Sequence, residues 1–250
     1  NIFFILTLFM KTDHIPFQMP IRSFALNQEW RHLSFLLWIV DKKYILPYIP
    51  KGLELDTYNN NAYISTIPFL MKDVMPRFLP SLNYISTFPE FNIRTYVKYK
   101  NKSGVFFLTL DAQSKITCLF APYAYGLPYR YAKGSVQSKN MTYSWRSKRL
   151  SDSAELKGYC KPFGEHMTAS RGSLEEFLFE RYCLFTLINN NLCIGYVAHK
   201  PWVYQIGKAK LEINSFTGAY NLGIKDLLMP DLVHISDGVK VKTWSIETLK

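Results

Sequence analysis

The stretch FPEFNIRTYVKYKNKSGVFFLTLD, residues 88–111, reads as two strands around a turn. Its Phe, Ile, Tyr and Val side chains suit a pleated surface. Residues 91–99 and 104–111 flank a turn-type segment at Asn101–Gly104, which predicts a hairpin. Within the first strand Glu90, Asn92 and Arg94 recur at a period of two, so three polar side chains share one face. That face is either wet surface with an exposed ion pair, worth about 0–1 kcal/mol, or the polar wall of a site. In a site, burial would raise the carboxyl pKa and a nearby guanidinium would lower it. The residues alone weigh these two readings equally.

Outward from the hairpin the same β-rich pattern continues. RHLSFLLWIV (31–40) reads as a buried strand, and DKKYILPYIP as a short helix stopped by Pro47 and Pro50. KGLELDTYNNNAYISTIPFLM predicts two strands joined by the Asn-rich turn at Tyr58–Asn61, and Pro76 and Pro80 punctuate a loop. A helix-like segment covers 112–124, and strands follow at about 134–149 and 153–162. Ser173, with Glu176 three residues on, opens a helix with a capping box, and a further short helix is expected around FTGAYNLGI. Seventeen Tyr and eighteen Phe against twelve Gly favour a mainly β core, and 48% hydrophobic residues exclude a disordered chain. No linker, repeat or low-complexity tract divides the sequence, so residues 20–250 are expected to form one domain. Residues 1–19 are expected to be an N-terminal extension. NIFFILTLF, which precedes Met10, reads as an over-read ahead of a start there rather than a signal peptide, because no basic region precedes it.

The net charge of +11 permits nucleic-acid or anionic-surface binding, but the Lys and Arg residues are scattered and no block reaches five like charges. A solvated basic surface is the preferred reading, with no nucleic acid and no membrane as partner. Four cysteines without a CxxC pair fit a reduced, cytoplasmic protein. No phosphate loop, GxSxG elbow or HExxH helix is present, and the five His are dispersed. Neither a metal nor a cofactor is expected. Arg31, ahead of a long apolar strand, is either a rim residue or a bidentate clamp for a carboxylate.

WRHLSFLLWIV at 30–40 and LPYIPKGLELD at 46–56 together resemble the opening of the acetoacetate decarboxylase-like superfamily. FPEFNIRTYV, SLEEFLFERYCLF at 173–185 and HKPW at 199–202 resemble an uncharacterised bacterial branch of it. The resemblance implies a mainly β (α+β) fold: a large antiparallel barrel or cone with a few flanking helices and an internal cavity. In the decarboxylases a cavity lysine forms a Schiff base with a β-keto acid, a neighbouring lysine depresses its pKa, an arginine holds substrate and a glutamate assists. By position Arg31 matches that arginine and Glu90 that glutamate. Where the decarboxylases carry Tyr-Pro-Lys-Lys, this chain reads Leu127-Pro128-Tyr129-Arg130. An arginine stays protonated and cannot form a Schiff base. Lys133 shares a face with Tyr129 in an extended segment and is the outside candidate for a covalent step.

The resemblance implies a cavity that binds a small, anionic carboxylate or oxo-acid without Schiff-base chemistry, in a chain that could form a homo-oligomer. Glu90 and Tyr129 are the expected catalytic groups, and Arg31, Asn92, Arg94 and Arg130 the expected substrate-binding ones. A lyase or isomerase acting on a small oxo-carboxylate, with Glu90 as general acid/base, is the enzymatic alternative. A binder of anionic surfaces or nucleic acid is the third, resting on net charge alone.

Overall fold

Leu33 to Trp38 form six consecutive buried residues in the first strand, which requires apolar cover on both faces. A computed structural model, which describes residues 12–77 and 86–249, shows how both faces are covered. Strands β1 (Leu26–Val40), β3 (Ala62–Pro76), β4 (Phe88–Tyr99) and β5 (Lys102–Ala112) form, together with β12 (Leu232–Thr243), one curved wall in the order β12-β1-β3-β4-β5. Its two ends are joined twice. One route runs through β6 (Tyr129–Lys139), β7 (Thr142–Arg149), β8 (Glu155–Thr168) and β11 (Val203–Asn214). The other runs through β9 (Cys183–Ile188) and β10 (Asn191–His199). The sheet therefore forks at β5 and β12 and closes into two barrels that share a wall. Pairing is antiparallel except where β5 meets β6 and β9.

Each barrel holds its own core. Leu33, Phe35 and Leu37 of β1 pack into one with Phe69, Tyr96, Phe179 and Trp202, while Leu36, Trp38 and Val40 pack into the other with Phe91, Trp145 and Phe216. Alternation along one strand thus feeds two interiors, which is why 35–40 reads as a continuous apolar run.

The hairpin predicted at residues 91–111 is present as β4–β5, with Lys100 in the left-handed conformation at its turn. Tyr58–Asn61 forms the expected turn, with a bridge between its ends and Asn59 and Asn60 at positive φ. The two-residue β2 (Glu54–Leu55) before it pairs with β4 instead of β3, so this segment is not a simple hairpin. Helix α1 (Lys42–Ile45) starts at Asp41 and passes into a 3-10 turn containing Pro47. Helix α2 (Lys115–Tyr125) is capped by Ser114 and ends at Gly126 in the left-handed conformation. Helix α3 (Leu174–Phe179) is capped by Ser173, whose hydroxyl accepts from the Glu176 N–H, while the Glu176 carboxylate accepts from Gly172 N–H. The last, α4 (Ser215–Gly218), is a single turn, shorter than the pattern around FTGAYNLGI suggested.

Two bulges matter for the site. His32 in β1 and Asp73 in β3 adopt left-handed backbone conformations (φ 56° and 50°), and the β1–β3 register shifts along the same strands. Opposite the first, Gly238 sits at φ 123°, and a Cβ there would fall 1.8 Å from the Trp30 carbonyl oxygen, so glycine is required. Arg149 braces the β5–β7 side, its guanidinium gripping Asp111 at 2.8 and 3.0 Å with both side chains buried. All four cysteines are free thiols. The apolar run 1–9 and Pro80 lie outside the described residues; Ile15, within the expected extension, is buried against Val97, Tyr182 and Phe185. No helix among the described residues is long and apolar enough to cross a membrane.

Candidate functional site

The barrel closed by β9 and β10 is not filled. It encloses a cavity of about 460 Å³ walled mostly by aromatic and aliphatic side chains, among them Trp30, Phe88, Phe107, Phe179 and Trp202. Trp30 and Trp202 stack at 6.2 Å between ring centroids, and Phe35 meets Trp202 edge-on at 5.4 Å. The lining residues that reach solvent are Pro76 and, on α2, Ile116, Phe120 and Ala124, which places the mouth beside that helix.

Glu90 enters this cavity from β4. It is 2% exposed, and its carboxyl Oε2 accepts a 2.8 Å hydrogen bond from the Tyr129 hydroxyl. Burial pushes the Glu90 pKa up to about 8, with the Tyr129 hydrogen bond pulling the other way. Burial and the adjacent carboxyl together push the Tyr129 phenol well above its ordinary value. Glu90 is therefore a carboxyl that exchanges its proton near neutrality, and Tyr129 is a fixed donor beside it. Cys118, on the buried side of α2, is pushed up to about 11 by burial and by Glu90 and Asp111, so it is a packed thiol and not a thiolate.

Arg94 enters from the same face of β4, deeper in. Its Nη2 donates to the Leu178 carbonyl at 3.2 Å, while its buried Nε makes no hydrogen bond. Among the described residues no carboxylate pairs with it; burial lowers its pKa, the Tyr96 hydroxyl beside it raises it, and Arg181 nearby lowers it further. Arg181 is compensated: its Nη1 reaches Asp56 at 2.6 Å, its Nε donates to the Phe177 carbonyl, and it stacks 4.3 Å over the Phe177 ring. His199 closes the same end. Its Nδ1 lies 2.8 Å from the Lys200 carbonyl and thus carries the proton, and burial lowers its pKa to about 4, so the ring is neutral.

The structure brings together Glu90, Arg94 and Tyr129 in the cavity wall. Asn92 lies between them on β4, buried, with its Oδ1 making no hydrogen bond, but it is not among the lining residues. Arg31 is outside: it pairs with Glu29 and is about a third exposed. The bulge at His32 reverses the alternation of β1, so Gln28 and Trp30 face the cavity in place of Arg31. Arg130 points outward to Asp152 at 3.3 Å. Lys133 is exposed because β6 leaves β5 after Tyr131 and pairs with β7, so the face that begins at Tyr129 in the cavity ends in solvent. Arg181, His199 and Trp202 were not singled out by spacing. Their segments, SLEEFLFERYCLF and HKPW, carry the family resemblance without pointing to a role for any one residue, and the closure of β9 and β10 onto the cavity places them in its wall. Among the described residues no lysine lines the cavity, and no cluster of His, Cys, Asp and Glu is placed to hold a metal.

The chain belongs to the DUF2071 family, described as an uncharacterized conserved protein, whose profile matches residues 27–240. The uncharacterized protein YqjF of Bacillus subtilis (strain 168) is 33% identical over 229 residues, covering 91% of this chain and 94% of YqjF. Among solved structures, acetoacetate decarboxylase from Legionella pneumophila superposes with a TM-score of 0.66 at 15% identity, covering 95% of this chain and 93% of that one. The enduracididine biosynthesis enzyme MppR, with HEPES buffer bound, gives 0.63 at 9% identity, covering 92% and 89%. The fold is therefore that of the acetoacetate decarboxylase-like proteins, as the sequence resemblance implied.

Proposed function

We propose that this protein binds a carboxylate or oxo-acid in its decarboxylase-like cavity, without Schiff-base chemistry. The observation that carries the reading is Arg94: a guanidinium on the cavity wall whose buried Nε has no hydrogen-bond partner and whose charge, among the described residues, meets the Phe35 and Tyr96 rings at 6.0 and 5.8 Å but no carboxylate. An uncompensated buried charge is costly, and an anionic ligand would supply the missing partner with charge-assisted hydrogen bonds. Glu90 is largely protonated near neutral pH, so it does not repel that anion. The absence of lysine from the described lining removes the nucleophile that a Schiff base needs. The test is calorimetric titration of the protein with a panel of carboxylates against their neutral amides. Preference for the acids, lost in Arg94→Gln, supports the reading; equal binding of acids and amides refutes it.

A second reading makes the site catalytic, as a lyase or isomerase acting on an oxo-carboxylate. It rests on the Glu90–Tyr129 contact at 2.8 Å together with a Glu90 pKa of about 8. The ionised fraction of Glu90, which grows as pH approaches 8, would take a proton from the carbon beside an oxo group, and Tyr129, released from the carboxyl once that is protonated, would donate to the developing enolate oxygen. Exchange of α-protons for deuterium in a bound oxo-acid, abolished by Glu90→Gln, would separate this reading from simple binding.

A further inference from the structure

Glu90 and Arg94 are four residues apart on β4, whose register against β3 runs unbroken through both while its pairing with β5 shifts between Ile93 and Arg94, so their Cα atoms lie about 13 Å apart at roughly 3.3 Å per residue. Both side chains leave the same face and line one continuous cavity. The space between is apolar, walled by rings such as Trp30, Phe88 and Trp202. Its volume of about 460 Å³ falls in the range of roughly 300–1,000 Å³ found for drug-sized ligands. At about 30 Å³ per water-sized group it holds on the order of fifteen such groups, about twice the size of acetoacetate. The mouth is apolar as well, with Ile116 and Phe120 of α2 both lining the cavity and exposed at 49% and 63%.

We infer that the ligand is an extended amphiphilic carboxylate, with its carboxylate on Arg94, an apolar body of about eight or more carbons along the aromatic wall, and a hydroxyl or oxo group at the far end against Glu90 and Tyr129. This rests on the carboxylate-binding reading above and specifies its substrate class. Arg94 anchors the end away from α2 because, among the described residues, no carboxylate pairs with it. The aromatic wall discriminates by length, and Tyr129 and the protonated Glu90 serve as the second polar terminus.

The experiment is calorimetric titration of the unmodified chain with butanoate, hexanoate, octanoate, decanoate, acetoacetate, 1-decanol and omega-hydroxydecanoate. Each added methylene should tighten binding about fourfold up to octanoate at least, and decanoate should bind at least tenfold tighter than decanol. Omega-hydroxydecanoate should exceed decanoate, and Tyr129→Phe should remove that excess. A flat series, with acetoacetate as tight as decanoate, would overturn the extended ligand while leaving carboxylate binding intact. No binding by any carboxylate would overturn both. Equal affinity for omega-hydroxydecanoate and decanoate would overturn the assignment of the far end. The length series needs no variant, so misfolding of a mutant cannot obscure the result.

Discussion

Glu90 and Arg94 project from the same face of β4, yet neither serves the other. Glu90 accepts from the Tyr129 hydroxyl at 2.8 Å, and Arg94 donates to the Leu178 carbonyl at 3.2 Å. Among the described residues no ion pair joins them. A carboxyl and a guanidinium kept apart inside one apolar cavity behave differently from a surface pair, and their separation sets the first two expectations.

Replacing Glu90 with Gln should change how stability depends on pH. A carboxyl near 8 in the fold and 4.5 in the unfolded chain ionises first in the unfolded chain. Its neutral form therefore supports the fold fully below pH 4.5, and that support is lost as pH rises towards 8. At about 1.4 kcal/mol per unit, the loss is on the order of 5 kcal/mol. Glu90→Gln should melt near wild type at pH 4 and clearly above it at pH 9. Parallel stability curves for the two proteins would refute the buried, protonated carboxyl.

Arg94→Met should leave the ligand-free protein as stable as wild type or raise it by about 1–2 kcal/mol, because a largely desolvated charge that meets aromatic rings but, among the described residues, no carboxylate is replaced by apolar surface of similar length. The same variant should lose carboxylate binding. A denaturant melt showing a loss of ~3–5 kcal/mol would mean that Arg94 is a structural cation with a partner it cannot spare.

Arg149→Ala is the contrasting case. Arg149 and Asp111 are both buried and bonded through two nitrogens. Removing one partner strands the other, at ~3–5 kcal/mol. Glu54→Ala, which breaks only the exposed contact to Lys98 at 3.7 Å, should cost ~0–1 kcal/mol. Chemical denaturation of the two variants side by side checks the difference.

Incubation with acetoacetate and borohydride should leave the intact mass unchanged, since Lys133 is exposed and no lysine lines the described cavity. A reduced adduct mapped by mass spectrometry to Lys133 would restore a decarboxylase-type covalent step.

Glu90→Ala, unlike Glu90→Gln, removes the acceptor for a buried phenol. The stranded Tyr129 hydroxyl should cost ~1–3 kcal/mol at pH 4, where the pH effect of Glu90 is absent. A double variant with Tyr129→Phe should recover much of that loss. If Glu90→Ala melts like wild type at pH 4, the hydrogen bond at 2.8 Å contributes nothing.

Strand periodicity is a local property, and it made much of this protein legible from its residues. Alternation along FPEFNIRTYV places Glu90, Asn92 and Arg94 on one face, the Asn101–Gly104 turn makes the hairpin, and Ser173 caps its helix, because each depends only on neighbours a few residues away. What alternation cannot show is where it reverses. His32 and Asp73 adopt left-handed backbone conformations that nothing in their residue type demands, and Gly238 accommodates the first only because the β12 backbone crosses close to Trp30. Those bulges turn Arg31 out of the cavity and Trp30 into it. The fork of the sheet is equally non-local: β5 and β12 each carry two neighbours on one edge, and that branching decides that Tyr129 faces a cavity while Lys133, four residues along the same strand, faces water. Side-chain direction is written in the local chain, but which face becomes an interior depends on contacts between strands far apart in sequence.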